Sequence, residues 1–131
     1  MDFLINLIIL LIVGYLLGSE RQNAHKIIGI RSISLVLLGS FIFTYISTKV
    51  GGDPARIIAQ IATGISFVGA GIIFKNKGDS ILNLTTAILI WVLAALGCMI
   101  ALGLMLESII ITITIYFILH FYKKLFNYGN C

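Results

Sequence analysis

Proline occurs once in 131 residues, at Pro54, and formal charge is almost as scarce, with nine Lys or Arg and five Asp or Glu. A single proline excludes a proline-rich linker and argues against a disordered tail. Charged residues make up 11% of the chain, less than half of the roughly 25% usual for a soluble domain. A chain this small leaves roughly a third of its extended surface exposed after folding. With 60% of its residues apolar, it has no polar coat for that surface. The net charge of +4 sits at the ends of apolar segments, where it orients helices and meets lipid headgroups, so no nucleic-acid role is expected. Cysteine is also sparse. Cys98 lies in an apolar run and Cys131 is the last residue; there is neither a CxxC pair nor a zinc-type His/Cys spacing. Two free thiols are expected. His25 and His120 stand alone, and no Ser/His/Asp or Cys/His nucleophile system is visible, so the chain is expected not to be an enzyme and to require no cofactor. The first residues lack a basic region, Asp2 being the only early charge, so the first apolar run reads as a retained helix rather than a cleaved signal.

Four apolar runs fill the sequence: Phe3–Ser19, Ser32–Thr48, Ile57–Phe74 and Leu84–His120. The last has 37 residues and as one helix would span roughly 55 Å, against a hydrocarbon core of about 30 Å. It must turn, and the region from Gly97 to Gly103 is the natural place. The expected fold is an all-α polytopic transmembrane bundle forming a single domain over 1–131, with helices near 3–19, 32–48, 57–74, 84–101 and 105–122. Five helices put Arg21, Lys26, Arg31, Lys75, Lys77, Lys123 and Lys124 on one side and only Lys49 and Arg56 on the other. The positive-inside rule then places the N-terminus outside and the C-terminus in the cytoplasm.

Most of the 13 glycines fall inside the apolar runs. Small residues let membrane helices approach closely, where packing and hydrogen bonds replace hydrophobic transfer as the driving force. Gly14 and Gly18 lie four apart in the first helix. Ala55, Ala59 and Thr63, and again Ala62, Ser66 and Ala70, do the same in the third, which is slimmed further by Gly64, Gly69 and Gly71. Ala87, Ala94, Ala95, Gly97 and Ala101 lighten the fourth. The third helix is therefore expected at the bundle centre with the first and fourth beside it. The Ile-rich fifth helix is expected at the periphery, with Thr112 and Thr114 bonded to its own backbone. The Gly14/Gly18 pair or the third-helix stripes would also serve a homodimer.

Polar candidates gather near the two membrane faces. At the cytoplasmic end Glu20 needs a partner, with Arg21 or Arg31 available; snorkelling is the plain reading of Arg21. At the outer end Asp53 is placed to cap the third helix with Pro54 in its first turn. Arg56 opposes that helix's dipole and answers Asp53, another carboxylate or a lipid phosphate. Gly64-Ile-Ser-Phe-Val-Gly-Ala-Gly, 64–71, is read as close packing, with exposed carbonyls of a broken helix as the functional alternative. Asn83, Thr85 or Thr86 would cap the fourth helix, in a loop with Lys75, Lys77 and Asp79 read as solvated. Glu107 near the outer end snorkels or joins Arg56. Trp91 is expected to pack inside the bilayer, and Tyr116 and Tyr122 to anchor the inner face. Asp53 and Glu20 are the carboxylates a metal would use, although no firm metal site is visible.

Gly-Ser-Glu-Arg (18–21), Gly-Ile-Arg-Ser (29–32), Asp53-Pro54-Ala55-Arg56 with Ile-Ala-Gln (58–60), the 64–71 glycine run and Leu-Thr-Thr-Ala (84–87) with Trp91 together resemble the MgtC/SapB family of bacterial inner-membrane proteins. Glu20, Arg21, Arg31, Asp53, Arg56, Gly69, Gly71, Thr85, Thr86 and Trp91 fall on the family pattern. Departures are Ser19 for Leu, Gln22 for Glu, Ser32 for Thr, Ser66 for Gly and Asn83 for Gly. The resemblance implies a five-helix multi-pass protein of the inner membrane, linked to Mg²⁺ limitation, acid tolerance and virulence. It also implies Mg²⁺ as an ion of interest and a regulatory role on a membrane partner, as in the family's action on the F-type ATP synthase. Longer members carry a cytoplasmic C-terminal regulatory domain, which this sequence is expected to lack. A membrane regulator is the leading expectation and a Mg²⁺ or other cation carrier or channel the alternative, because transport wants polar groups at mid-membrane.

Overall fold

The first three apolar runs each become one helix and the fourth becomes two. The computed structural model describes residues 2–75 and 81–126, giving the backbone alone for 74, 75, 81 and 122–126. The helices are α1 (Asp2–Asn23), α2 (Ile30–Lys49), α3 (Pro54–Ile72), α4 (Leu84–Ala101) and α5 (Met105–Phe126). A two-residue antiparallel ribbon, β1 (Phe74–Lys75) with β2 (Ile81–Leu82), bridges α3 and α4. The first four helices are each long and apolar enough to cross a membrane, and α5 is apolar over Met105–Phe121. Helices of 18 to 22 residues run about 27–33 Å, the thickness of a hydrocarbon core. Lys77, Asp79 and Cys131 lie outside the described residues, as do the side chains of Lys75, Tyr122, Lys123 and Lys124.

The 37-residue run turns at Leu102–Leu104, inside the expected Gly97–Gly103 region and between the expected helix bounds. Gly103 has φ +77°; its N–H donates to Ile100 and that of Leu104 to Met99, at 3.1 Å each. This left-handed cap satisfies the carbonyls that a helix end leaves open. α1 ends identically, with Lys26 N–H donating to Arg21 and His25 N–H to Gln22. Here His25 occupies the left-handed position at φ 52°, which a side chain disfavours by about 1–2 kcal/mol. His25→Gly should therefore stabilise the fold by about 1 kcal/mol, and Gly103→Ala should lower it by a similar amount. Unfolding midpoints in detergent micelles would check both signs.

The centre of the bundle is α4, not α3. Eleven α4 residues are buried, against Gly69 alone in α3. α3 is the least apolar of the four long helices and α4 the most, so burial follows hydropathy here rather than side-chain size. Small residues allow close approach but do not require it; Gly64 and Gly71 meet nothing within 4 Å of where a Cβ would stand. The neighbours of α3 are α4 and α2, and α1 packs on α2 instead. Gly14 and Gly18 are used inside the chain: a Cβ on Gly18 would stand 2.5 Å from Ile30 Cα, and one on Gly14 2.5 Å from Ser34 Oγ. α5 packs against α4 and α1 and shows lipid its Ile109, Ile110, Ile113 and Phe117. Thr112 and Thr114 donate to Ser108 and Ile110 carbonyls at 2.7 and 2.8 Å, as expected.

These contacts set antiparallel neighbours. Arg21 and Thr86 meet at one end, here the basic end, while Asn6 and Ile100 meet at the opposite one. Leu10, Leu17, Ile33, Leu37, Leu93 and Leu96 fill the space between.

A buried charge cluster at the basic end: candidate functional site

A helix-terminal arginine ordinarily snorkels to water. Arg21, in the last turn of α1, is instead 5% exposed. Its Nη2 donates to Thr86 Oγ1 on α4 at 3.3 Å, while its Nε is buried with no hydrogen-bond partner. The adjacent carboxylate of Glu20 acts on it electrostatically, and Oε2 of Glu20 is itself buried without a partner. Arg21 is thus buried beside a half-buried Glu20, and each keeps one orphaned polar atom. Such groups are costly unless paired, so each charge depends on the other.

Thr86 is where it is because α4 begins at Leu84, immediately after Asn83. Asn83 has left-handed backbone, φ 63°, and makes no side-chain cap; its Nδ2 donates instead to the Ile72 carbonyl at 3.5 Å. None of Asn83, Thr85 and Thr86 therefore caps α4, because an N-cap needs extended backbone. The left-handed backbone explains why a residue read as replacing Gly is Asn, the side chain that tolerates this region best. Gly69 of α3 packs at the same level, 3.5 Å from the Ala87 carbonyl at a would-be Cβ. The basic end thus gathers Glu20, Arg21, Asn83, Thr86 and Gly69. Thr85 and Arg31 are exposed around it. Among the described residues neither Arg21 nor Arg31 closes an ion pair with Glu20; the adjacent Arg21 is the one Glu20 acts on electrostatically.

Other expected positions stand apart. Asp53 caps α3, its Oδ1 accepting from Ala55 N–H at 3.0 Å, with Pro54 first in the helix. Arg56 is exposed in the same turn, and Glu107 is exposed in the first turn of α5. Gly64 and Gly71 face outward on an unbroken helix. Trp91 is 52% exposed rather than packed, because α4 turns Leu89, Ile90 and Leu93 inward and leaves position 91 outside. Tyr116 is exposed on α5, its ring stacked on that of His120. Asn6 escaped sequence reading. It is buried and its Nδ2 donates to the Ile100 carbonyl at 3.3 Å, fastening α1 to the end of α4. A lone amide in the first apolar run was the available signal.

These residues do not fit a resident Mg²⁺. The ion takes six oxygens, whereas the basic end offers one orphaned carboxylate oxygen beside a guanidinium. Asp53 is exposed and has committed Oδ1 to its helix. Among the described residues no three His, Cys, Asp or Glu come together.

Known proteins bear on the arrangement. The MgtC family model matches residues 7–128. Protein MgtC of Brucella abortus is 42% identical over 106 residues, covering 79% of this chain and 44% of that protein. Protein MgtC of Salmonella typhimurium is 36% identical over 114 residues, covering 86% and 49%. An uncharacterized Haemophilus influenzae protein is 29% identical over 120 residues, covering 83% and 50%. The chain thus spans about half the length of the curated relatives it matches. No solved structure matches it. With the match running from α1 into the described end of α5, this membrane-helix protein belongs to the MgtC family.

Proposed function

We propose that this chain is a multi-pass protein of the bacterial inner membrane, N-terminus outside and C-terminus cytoplasmic, linked to Mg²⁺ limitation and to acid or virulence-related homeostasis. It acts as a regulator that binds a membrane partner, of which the F-type ATP synthase is the instance the family suggests, rather than as an ion carrier. The observation that carries this reading is the interior packing. Leu10, Leu17, Leu37, Leu93 and Leu96, all under 2% exposed, form an apolar layer between the charged corner at the basic end and the polar opposite end. Carriers place ionisable groups at mid-membrane; this bundle buries leucines there with only hydroxyls such as Ser40 and Thr112 beside them. Arg31 and Thr85, exposed beside the buried Glu20–Arg21 corner, supply the face a partner would read.

Purified protein in liposomes, assayed for Mg²⁺ and proton flux, tests the choice. No flux above empty vesicles is expected from wild type, Glu20→Gln or Asp53→Asn, while Arg31→Glu abolishes support of growth at low Mg²⁺ without unfolding the protein. Saturable Mg²⁺ flux lost on Glu20→Gln or Asp53→Asn would establish the carrier reading instead.

A further inference from the structure

Of the helices apolar enough to cross a membrane, α3 is both the least apolar and the least buried. A helix shown to lipid should be the reverse, since hydrocarbon offers polar groups no partner. The mismatch is concentrated on one stripe. Asp53, Arg56, Gln60, Thr63, Phe67 and Ala70 recur at alternating spacings of three and four, and all six are exposed. That is the 3.5-residue period by which one helix seats against another. Gln60 lies about 9 Å along the helix from Pro54, below the headgroups, and nothing among the described residues hydrogen-bonds its amide. Asp53 and Arg56 close no ion pair among the described residues either. Beside the stripe runs an open groove of about 490 Å³ between α2 and α3, lined in part by Leu35, Gly39, Ile57 and Gly64. A Cβ on Gly39 or Gly64 would meet nothing within 4 Å.

We propose that this face of α3 docks the α3 of a second copy of the chain. The argument for a second copy is self-complementarity. Two molecules inserted the same way and related by a two-fold along the membrane normal present equal depths to each other. Asp53 then stands about 4.5 Å along the axis from the second copy's Arg56, within reach of that long side chain, and the reverse, so the opposite charges are answered across the two-fold. The two Gln60 amides meet near the axis, each carrying both the donors and the acceptor the other needs. Phe67, 83% exposed, enters the second copy's groove beside Gly64, where the absent side chain leaves room. The first-helix glycines have no part in this, since α2 already covers them.

The test uses the full chain in phosphatidylethanolamine/phosphatidylglycerol vesicles, with the dimer fraction read by single-molecule photobleaching across protein-to-lipid ratios. Wild type is expected to dimerise. Gly64→Leu, which the single chain has space for, and Gln60→Leu should each weaken the dimer at least tenfold while the unfolding midpoint in detergent falls by no more than a few degrees. With Cys98→Ala and Cys131→Ser as background, Thr63→Cys should form a disulfide-linked dimer under mild oxidation, whereas Ile113→Cys on α5 should not. A monomer at every ratio would overturn the proposal in favour of a different partner. So would a dimer that Gly64→Leu leaves intact, or cross-linking as efficient from α5 as from α3. Flux in the liposome assay above would leave this outcome unaffected, so the interface and the regulator reading fail separately.

Discussion

Gly97→Ala is expected to lower stability by about 3 kcal/mol, the upper range for forcing a methyl into a packed core. The added Cβ would stand 2.5 Å from the Leu37 carbonyl oxygen and also collide with Ser40 Oγ. Neither neighbour can yield cheaply. The carbonyl belongs to α2 backbone, and Ser40 Oγ is held by bonds to the Val36 and Leu37 carbonyls at 3.0 and 3.1 Å. The helices must separate, and α2 against α4 is the most extensive pairing in the bundle. Leu37, Phe41, Leu93 and Leu96, now fully or nearly fully buried, would lose contacts together. Gly39→Ala is the control, because open space surrounds that position; it should be neutral or stabilise by up to about 1 kcal/mol through helix propensity. Detergent unfolding midpoints for the two variants should move apart. Equal midpoints would show that the α2–α4 approach is looser than the 2.5 Å contact implies.

The second large effect concerns the charged corner. Arg21→Met removes the guanidinium adjacent to Glu20 and the donor to Thr86, leaving a half-buried carboxylate whose Oε2 is buried. Losing that bond and stranding a buried polar oxygen costs about 1–3 kcal/mol. Arg21→Met/Glu20→Gln removes both charges and should regain much of that loss, since most of the penalty belongs to the stranded ion rather than to the missing bond. A double-mutant cycle on unfolding free energy reads the coupling directly. Additive single effects would mean that water, not Arg21, solvates Glu20. If the regulator reading holds, the double variant should fold yet fail to support growth at low Mg²⁺. The charges are then needed at the face and not only for folding.

How much of this was legible in the residues depends on the kind of interaction. Asp53-Pro54 announced its cap because the bond joins residues two apart. Thr112 and Thr114 announced theirs because a hydroxyl four residues on reaches its own helix. The fourth helix, expected over 84–101, forms as Leu84–Ala101. By contrast, the expectation of α3 at the centre fails because Thr63 and Ser66 count there as small packing residues. With Gln60 they are instead polar groups that make α3 the least apolar span. Trp91 failed for a related reason: α4 is apolar on every side, so nothing in its pattern tells which face turns inward. Arg21 was read as a snorkelling chain because burial at a helix end depends on what covers it.

The sequence by itself determined the five helices, their lengths against a bilayer, the Asp53 cap of α3 and the gathering of charge toward the helix ends. Those follow from local energies: hydropathy summed along a run, and backbone groups that must be satisfied within a few residues. Only the tertiary structure decided that α4 is the core, that Gly18 and Gly97 are contact points between helices, and that Arg21 is closed off against Thr86. Such outcomes depend on which faces meet. Once every helix is apolar, hydrophobicity no longer chooses the faces; the fit of small residues and the pairing of a few polar atoms do.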